Sequence, residues 1–232
     1  MNWNMNSKDK STKKQKKNKR RNPFRFFLQD FIKITGAWTA AVWLRPKRLF
    51  ESKKAKKHIR GGAVAIANHT GVTDPIALFF AFWYRRLHIM AMKELFTKKF
   101  GNWFFRKALC IPVDRANFNT QTFHEAVEVL NEGGVLAIFP EGEINHDTST
   151  VKAFKSGAVL MALRGHAPIV PVYIAPLTKW YSRAVMVIGE PIYPEEICGS
   201  TPSLNSIDEV SKILREKELA LKEVYQKWKT KK

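Results

Sequence analysis

Four short apolar runs, each ending in polar or turn-forming residues, restrict the fold of this chain more than any other feature. They lie at residues 62–67, 110–115, 135–142 and 169–174. Short apolar runs bounded by glycine or proline are typical of buried strands. Helical patterns separate these runs, and this alternation predicts an α/β domain with a central mixed β-sheet flanked by helices. A length of 232 residues fits a single domain of this kind with appendages.

Other segments complete the alternation of strands and helices. Two more strands are predicted at 88–92 and 184–188, and helices at 76–85, 93–107, 119–131 and 152–164. The sequence Ser206-Ile-Asp-Glu209 has the form of a capping box, which predicts that a C-terminal helix begins there and continues to about Trp228.

Polar residues follow three of the predicted strands. His69 comes after the first run, Arg115 after the second, and Glu141 and Gly142 after the third. In open α/β sheets, ligands bind outside the carboxyl ends of the strands. The sequence therefore predicts that these residues border one crevice.

His69 and Asp74 are the candidate catalytic pair. Histidine can accept and release a proton near neutral pH, and a nearby carboxylate can orient its ring and stabilise the imidazolium. Asp74 also precedes Pro75 at the expected start of a helix, where aspartate is a common N-cap. Local sequence leaves both roles open for Asp74, and they are compatible.

Four segments, taken in order, resemble the motifs of the glycerolipid acyltransferase family. They are Asn68-His69-x4-Asp74, Ile111-Pro-Val-Asp-Arg115, Phe139-Pro-Glu-Gly142 and Val170-Pro-Val172, and the segment Phe154-Lys-Ser-Gly-Ala158 is also similar to a family segment. The resemblance covers about residues 60 to 192, and the first and third motifs together are the most specific part of it.

The resemblance implies transfer of an acyl group from a thioester, acyl-CoA or acyl carrier protein, to a hydroxyl. The expected acceptor is 1-acylglycerol 3-phosphate and the expected product is phosphatidic acid; another lysolipid or glycerol 3-phosphate is the alternative acceptor. His69 would be the base and Asp74 would orient it. Substrate-binding roles are implied for the residues Asn68, Arg115, Glu141, Gly142 and Lys155. No cofactor is expected, and no cluster of metal ligands stands out in the sequence.

The chemistry of three of these residues supports parts of that expectation. The guanidinium of Arg115 suits a phosphate, and the N–H of Gly142 could approach a phosphate or a developing oxyanion. Glu141 could bind an acceptor hydroxyl or hold its own loop. Glu143 and Ile144 stand where family members often have Thr-Arg, a departure that bears on the acceptor head group more than on the reaction.

The net charge of +20 is concentrated at the N-terminal side of the chain. Residues 1–22 contain nine Lys or Arg against one Asp, and residues 45–60 contain eight against one Glu. We expect a disordered basic tail at 1–22, a membrane-anchoring helix with a basic linker at 23–60, and the acyltransferase domain at 61–232. Basic tracts are attracted by anionic lipid and by nucleic acid alike, so charge alone does not choose between them.

The segment between the basic tracts predicts an amphipathic helix. Its apolar face is Phe27, Phe31, Ile34, Trp38 and Val42. The uninterrupted apolar stretch is shorter than the roughly 18–20 residues that span a bilayer, so an interfacial helix is favoured, with packing on the domain core as the alternative. Together with only two cysteines, this predicts a peripheral protein on the cytoplasmic face of the membrane. Aromatic residues at 79–84 and 103–105, beside basic ones, fit core packing or a membrane-facing rim.

A noncatalytic basic module that binds membranes or nucleic acid is the contrasting hypothesis. Charge and aromatic content fit it, but it does not account for four ordered motifs at strand ends. We therefore expect a lipid-surface enzyme, with a lysophospholipid and an acyl thioester as partners and no nucleic acid.

Overall fold

The computed structural model describes residues 27–114, 119–147, 150–179, 182–199 and 201–231, and within 27–37 it describes side chains only at 30 and 31. The predicted tail at 1–22 and Arg115 lie outside the described residues. The helices are α1 (Phe27–Leu44), α2 (Asp74–Ala81), α3 (Lys99–Lys107), α4 (Thr120–Asn131), α5 (Gly157–Arg164), α6 (Pro194–Cys198) and α7 (Leu204–Thr230), with a 3₁₀ turn at Lys93–Phe96. The strands are β1 (Lys47–Phe50), β2 (Ala63–Ala67), β3 (Leu87–Met92), β4 (Cys110–Val113), β5 (Val135–Ile138), β6 (Ile169–Ile174) and β7 (Val185–Ile188).

Within these ranges the strands form one sheet in the order β1-β7-β6-β2-β5-β3-β4. The β6–β7 pair is antiparallel and every other neighbouring pair is parallel, so β1 and β7 run opposite to the remaining strands. The predicted mixed sheet flanked by helices is confirmed. All residues of β2, β5 and β6 are buried, which explains why their sequences are apolar throughout rather than alternating.

Strand β2 divides the core into two layers. Val64 and Ile66 face a layer that includes apolar residues of α4, α5 and α7. The small residues of β2 face the opposite layer, where α2 packs with Leu44. Small side chains on both surfaces allow the helix to lie close to the sheet. The central position of β2 places the residues that follow it, Asn68 and His69, in the middle of the carboxyl edge of the parallel strands.

The sheet extends into the segment that the sequence predicts to be a basic linker. Lys47–Phe50 forms the edge strand β1, with Lys47 opposite Val185 and Phe50 opposite Ile188. Leu44 is fully buried, and its carbonyl accepts the N–H of Ala184. The α/β unit therefore begins before residue 61, because the C-terminal end of α1 already belongs to the core.

Three predicted helices differ in extent from the prediction, and one of them is α2, which ends at Ala81 rather than at 85. The helix predicted at 93–107 is interrupted at Lys98, whose backbone is extended (ψ 141°), so a 3₁₀ turn precedes α3. The helix predicted at 152–164 begins at Gly157. The preceding residues instead bond to the loop after β5: the N–H of Lys152 donates to Glu141 and that of Lys155 to the Pro140 carbonyl.

The capping box of the C-terminal helix lies three residues earlier than predicted. Ser203 is the N-cap, and its hydroxyl accepts the N–H of Ser206 at 3.1 Å while the Ser206 side chain bonds back to Ser203. The helix continues to Thr230, close to the predicted end. Among the described helices, none combines the length and the apolar character needed to cross a bilayer.

Candidate active site

The loops that follow β2 and β5 bond directly to each other at the carboxyl edge of the sheet. The carbonyl of His69 accepts the N–H of Asn145 at 2.6 Å, and the N–H of His69 donates to Glu141 Oε1 at 3.4 Å. Both His69 and Glu141 are buried. The structure thus brings the first and third sequence motifs into one site, as their placement after neighbouring strands predicts.

His69 and Asp74 form a buried hydrogen-bonded pair. His69 Nδ1 lies 3.0 Å from Asp74 Oδ2, and the two residues are 9% and 4% exposed. A carboxylate opposite Nδ1 favours the tautomer that carries its proton on Nδ1. That arrangement leaves Nε2 as the ring nitrogen able to take a proton from a hydroxyl.

Asp74 does not cap the helix that it begins. The N-cap of α2 is Thr73, without a side-chain cap bond, so the N-cap role, one of the two that the sequence leaves open for Asp74, is wrong. Asp74 Oδ2 instead turns back to the loop, where it accepts the N–H groups of Thr70 at 2.6 Å and Gly71 at 2.8 Å. Because three donors converge on this oxygen, the carboxylate and the ring bonded to it are held in fixed positions.

Phe139 restricts the tilt of the His69 ring. The two rings stack with their centroids 4.2 Å apart and their planes 23° apart. Asp74 limits rotation of the imidazole in its plane, and Phe139 limits its tilt. Sequence reasoning treated Phe139 only as part of the third motif; its contact with His69 depends on the pairing of β2 with β5, which local patterns do not reveal.

Glu141 holds loops together. Its Oε1 accepts the N–H of His69, and its Oε2 accepts the N–H of Lys152 at 3.3 Å. Of the two roles that the sequence leaves open, these contacts support the structural one, since both carboxylate oxygens are engaged by backbone donors. Glu141 thereby sets the distance between the His69 loop and the segment that leads into α5.

The N–H of Gly142 takes part in a turn of the loop that follows β5. It donates to the carbonyl of Phe139 at 3.0 Å and closes a four-residue turn, and its contact with a phosphate or a developing oxyanion stays a prediction. Gly142 has a φ of +77°, and a Cβ there would lie 3.0 Å from the Nζ of Lys155. Glycine is needed both for this backbone conformation and for the space that the Lys155 ammonium group fills.

Asn68 joins the ends of two strands. Its side-chain Nδ2 donates to the carbonyl of Ile174 at 2.9 Å, and its Oδ1 accepts the N–H of Ile174 at 2.7 Å. Asn68 is 4% exposed. The paired amide fixes the end of β2 immediately before His69, and a contact of Asn68 with substrate stays a prediction.

An apolar cavity of about 300 Å³ opens beside these residues. It is lined by Met90, Ala91, Met92, Val113, Asp114, Ile138, Phe139, Pro140, Gly142, Lys155, Gly157, Ala158 and Met161. Phe139 therefore contacts the His69 ring and also lines the cavity. Among the described residues, the charged ones that line the cavity are Asp114, the neighbour of Arg115 in sequence, and Lys155, and Asp114 pairs with Lys93 at 2.6 Å. The mainly apolar lining suits an apolar chain.

Helix α7 carries a buried carboxyl group that the sequence analysis missed. Glu218 is 1% exposed, and neither carboxyl oxygen has a hydrogen-bond partner among the described residues. Burial, with a contribution from the charge of Glu141, raises the pKa of Glu218 well above its ordinary value. The signal in the sequence is spacing: Glu218 follows the buried Leu214 by four residues and precedes Leu221 by three.

Replacing Glu218 with leucine is expected to stabilise the protein more at high pH than at low pH. Since the folded-state pKa is raised, the wild-type stability is greatest below the unfolded pKa and falls as pH rises through the folded pKa. Glu218→Leu removes that loss and should raise the free energy of unfolding by about 1–3 kcal/mol above neutral pH. Thermal melts at pH 4.5 to 8.5 test this, with the exposed Glu216→Leu as control. A stability gain that is the same at all pH values contradicts the buried-carboxyl explanation.

Comparison with known proteins agrees with the fold and the motifs. Residues 48–175 match the acyltransferase family. A 1-acyl-sn-glycerol-3-phosphate acyltransferase of Bacillus subtilis is 35% identical over 137 residues, which are 57% of this chain and 67% of that protein. The enzyme of the same name from Streptococcus pneumoniae is 31% identical over 135 residues, 56% of this chain and 49% of that protein. The chain thus spans between about half and two thirds of these two relatives.

A solved structure has the same fold. The crystal structure of the 1-acyl-sn-glycerophosphate (LPA) acyltransferase from Thermotoga maritima superposes with a TM-score of 0.62, covering 88% of this chain and 83% of that one at 23% identity. The family match covers more than half of the chain and includes His69, Asp74, Glu141 and Gly142. This chain is therefore an enzyme of the acyltransferase family.

Proposed function

We propose that this enzyme transfers a fatty acyl group from an acyl thioester to the free hydroxyl of 1-acylglycerol 3-phosphate, which yields phosphatidic acid for phospholipid synthesis. The observation that carries the proposal is the buried His69–Asp74 pair beside an apolar cavity. The names of the two bacterial relatives support the choice of acceptor. The thioester donor, acyl-CoA or acyl carrier protein, is a substrate, and the proposed reaction uses no cofactor or metal.

In the proposed mechanism His69 acts as base and then as acid. Nε2 takes the proton of the acceptor hydroxyl while its oxygen attacks the thioester carbonyl carbon. The tetrahedral intermediate collapses with cleavage of the C–S bond, and the imidazolium returns the proton to the departing sulfur. The Asp74 carboxylate stabilises the imidazolium between the two steps. The thioester is already activated, so the scheme needs no serine or cysteine nucleophile.

The cavity and its charged rim suit the two ends of a lipid substrate. Its lining is mainly apolar and fits part of a fatty acyl chain, while Lys155 beside Gly142 offers a cation at the rim. We assign the acceptor phosphate to Arg115 and Lys155, because a guanidinium forms charge-assisted paired bonds and an ammonium adds positive charge. Glu143, the departure in the third motif, pairs with Lys152 at 2.7 Å, so its charge is partly compensated.

Acceptor identity is tested by a panel assay. Purified enzyme is given 1-acylglycerol 3-phosphate, a lysophospholipid with a larger head group, glycerol 3-phosphate or monoacylglycerol, each with acyl-CoA or acyl carrier protein as donor. The highest kcat/KM is expected with 1-acylglycerol 3-phosphate. A higher kcat/KM with glycerol 3-phosphate or with the larger lysolipid would replace the proposed acceptor by that compound. No acyl transfer to any acceptor would contradict the reaction itself.

Arg115→Ala is expected to raise the KM for the phosphate-bearing acceptor about 10- to 100-fold, the usual worth of a charge-assisted hydrogen bond. The KM for the thioester donor and the rate with monoacylglycerol should change little. Arg164→Ala, which removes an exposed arginine on α5, is the matched control. An equal loss with the neutral acceptor would show that Arg115 does not bind phosphate.

We also propose that α1 anchors the enzyme peripherally on the cytoplasmic face of the membrane. Three residues of its predicted apolar face have described side chains, and all are exposed: Phe31 by 51%, Trp38 by 74% and Val42 by 65%. Exposure favours the interfacial role over the alternative of packing on the core, and the basic tract at 45–60 adds attraction to anionic lipid.

Trp38→Ser combined with Val42→Ser should weaken binding to anionic vesicles without changing the melting temperature, because neither side chain is buried. Point substitution is preferable to deletion of the helix, since Leu44 belongs to the core. Vesicle sedimentation measures the binding, and Leu204→Ser, which changes a residue 81% exposed on α7, serves as control. If the double variant sediments like the control, α1 is not the anchor.

A further inference from the structure

The segment at 92–107, which connects β3 to β4, packs very little against the core. None of its residues is buried, although it contains five aromatic side chains. Phe100 is 73% exposed and Trp103 is 54% exposed, with Leu95 at 39%. Exposed aromatic groups of this size on one short helix are unusual for a surface that faces only water.

The aromatic rings of this segment contact one another. Phe100 lies 6.0 Å from Trp103 and stacks on Phe104 at 6.1 Å between centroids. Phe96 lies 5.7 Å from Phe105. These contacts form a preformed apolar layer whose outer side, Phe100 and Trp103, remains uncovered. Such a layer loses little side-chain entropy when an apolar medium covers it.

Basic residues lie close to the aromatic rings in the sequence of this segment. Lys98, Lys99 and Lys107 are exposed. Lys93 pairs with Asp114, and Arg106 pairs with Glu125 at 3.0 Å. Glu94 is the only acidic residue of the segment at 92–107. The segment therefore presents exposed aromatic rings within positive charge, a combination that matches both the apolar boundary and the anionic head groups of a bilayer.

The segment also borders the mouth of the apolar cavity. Met92, the last residue of β3, lines the cavity and is 36% exposed. Lys93 follows it and bonds to Asp114, another lining residue. The segment that carries the aromatic rings therefore begins at the wall of the cavity.

We propose that Leu95, Phe100 and Trp103 with Lys98, Lys99 and Lys107 form a lipid-docking surface that places the cavity mouth against an anionic bilayer. We refer to these six residues as the α3 surface. The inference rests on the proposed function, because a lipid acceptor must enter the site from the bilayer. The α3 surface is separate from α1 and gives the enzyme a second contact, which sets the orientation of the site as well as its attachment.

Vesicle sedimentation of the full chain measures the contributions of the lysines and of the aromatic residues of the α3 surface separately. Lys98→Glu, Lys99→Glu and Lys107→Glu together should lower partitioning onto phosphatidylcholine vesicles containing phosphatidylglycerol by at least about tenfold, and have little effect with phosphatidylcholine alone. Phe100→Ser with Trp103→Ser should lower partitioning onto both vesicle types. The matched controls are two variants on α7. One has the same charge change, with the substitutions Lys212→Glu, Lys227→Glu and Lys229→Glu. The other removes exposed apolar groups, with the substitutions Leu204→Ser and Leu219→Ser.

Activity with two forms of the acceptor distinguishes this inference from the proposed function. The α3 variants should lose activity on 1-acylglycerol 3-phosphate in vesicles and keep it, within about twofold, on a short-chain acceptor dissolved below its micelle concentration. If a variant loses both activities to the same extent and its melting temperature is unchanged, the lipid-docking role is contradicted. The segment would then act on substrate binding or catalysis in the active site. No activity on either acceptor in the wild type contradicts the proposed function instead.

Three further results would overturn the α3 surface as a lipid contact. One is vesicle binding equal to that of the α7 controls. Another is a change in oligomeric state of the Phe100→Ser and Trp103→Ser variant on size-exclusion chromatography, which would make the surface an interface between copies of the chain. The last is normal vesicle binding with a selective loss of rate when acyl carrier protein is the donor, which would assign the lysines to an acidic protein.

Discussion

Replacing His69 with alanine is expected to lower the rate of acyl transfer by about 10²–10⁴-fold, the usual contribution of general acid–base catalysis. The ring is held by Asp74 at 3.0 Å and by stacking on Phe139, so it has one available nitrogen and one orientation. Without it, no described group has the same position at the carboxyl edge of β2. The rate is measured by release of free thiol from the donor at saturating acceptor.

Two controls separate catalysis from folding. His69→Gln keeps most of the side-chain volume against Phe139 and should be as inactive as His69→Ala, with a melting temperature closer to that of the wild type. His146→Ala removes an exposed histidine from the loop after the third motif and should have little effect. If either His69 variant retained more than about a tenth of the wild-type rate, His69 would not be the base.

The sequence predicts the contact between His69 and Asp74 and the central strands, because both depend on local pattern. The β2 and β6 runs are apolar at every position, and a strand buried on both faces requires this. His69 lies in the loop after β2, and Asp74, five residues later, is the first residue of α2. Few conformations of so short a loop separate the two side chains widely. Short sequence distance makes such a contact predictable.

The contacts of Glu141 and Asn68 could not be predicted because they join distant segments. Glu141 reaches His69 across 72 positions, and Asn68 reaches Ile174 across 106. A sequence motif gives the residue type and leaves open whether its polar atoms face the substrate or the backbone. β1 was missed for a related reason: its four residues form a strand by pairing with β7, far along the chain.

An asparagine variant of Asp74 distinguishes a catalytic partner of His69 from a residue that only shapes the loop. Asp74 Oδ2 accepts from Thr70, Gly71 and His69, so it could serve only to shape the loop. Asp74→Asn leaves a side-chain oxygen able to accept the two backbone N–H groups and removes the negative charge. Asp74→Ala removes both the charge and the acceptor.

We expect Asp74→Asn to keep the melting temperature near that of the wild type and to lower the rate about 10²–10⁴-fold, because a neutral amide does not stabilise the imidazolium and can favour the wrong tautomer of His69. Asp74→Ala should lose the rate and also melt earlier. Combining Asp74→Asn with His69→Ala should cost little beyond His69→Ala alone, since the pair acts as a unit. If Asp74→Asn folds normally and retains the wild-type rate, Asp74 only shapes the loop, and the orientation of His69 would then rest on Phe139.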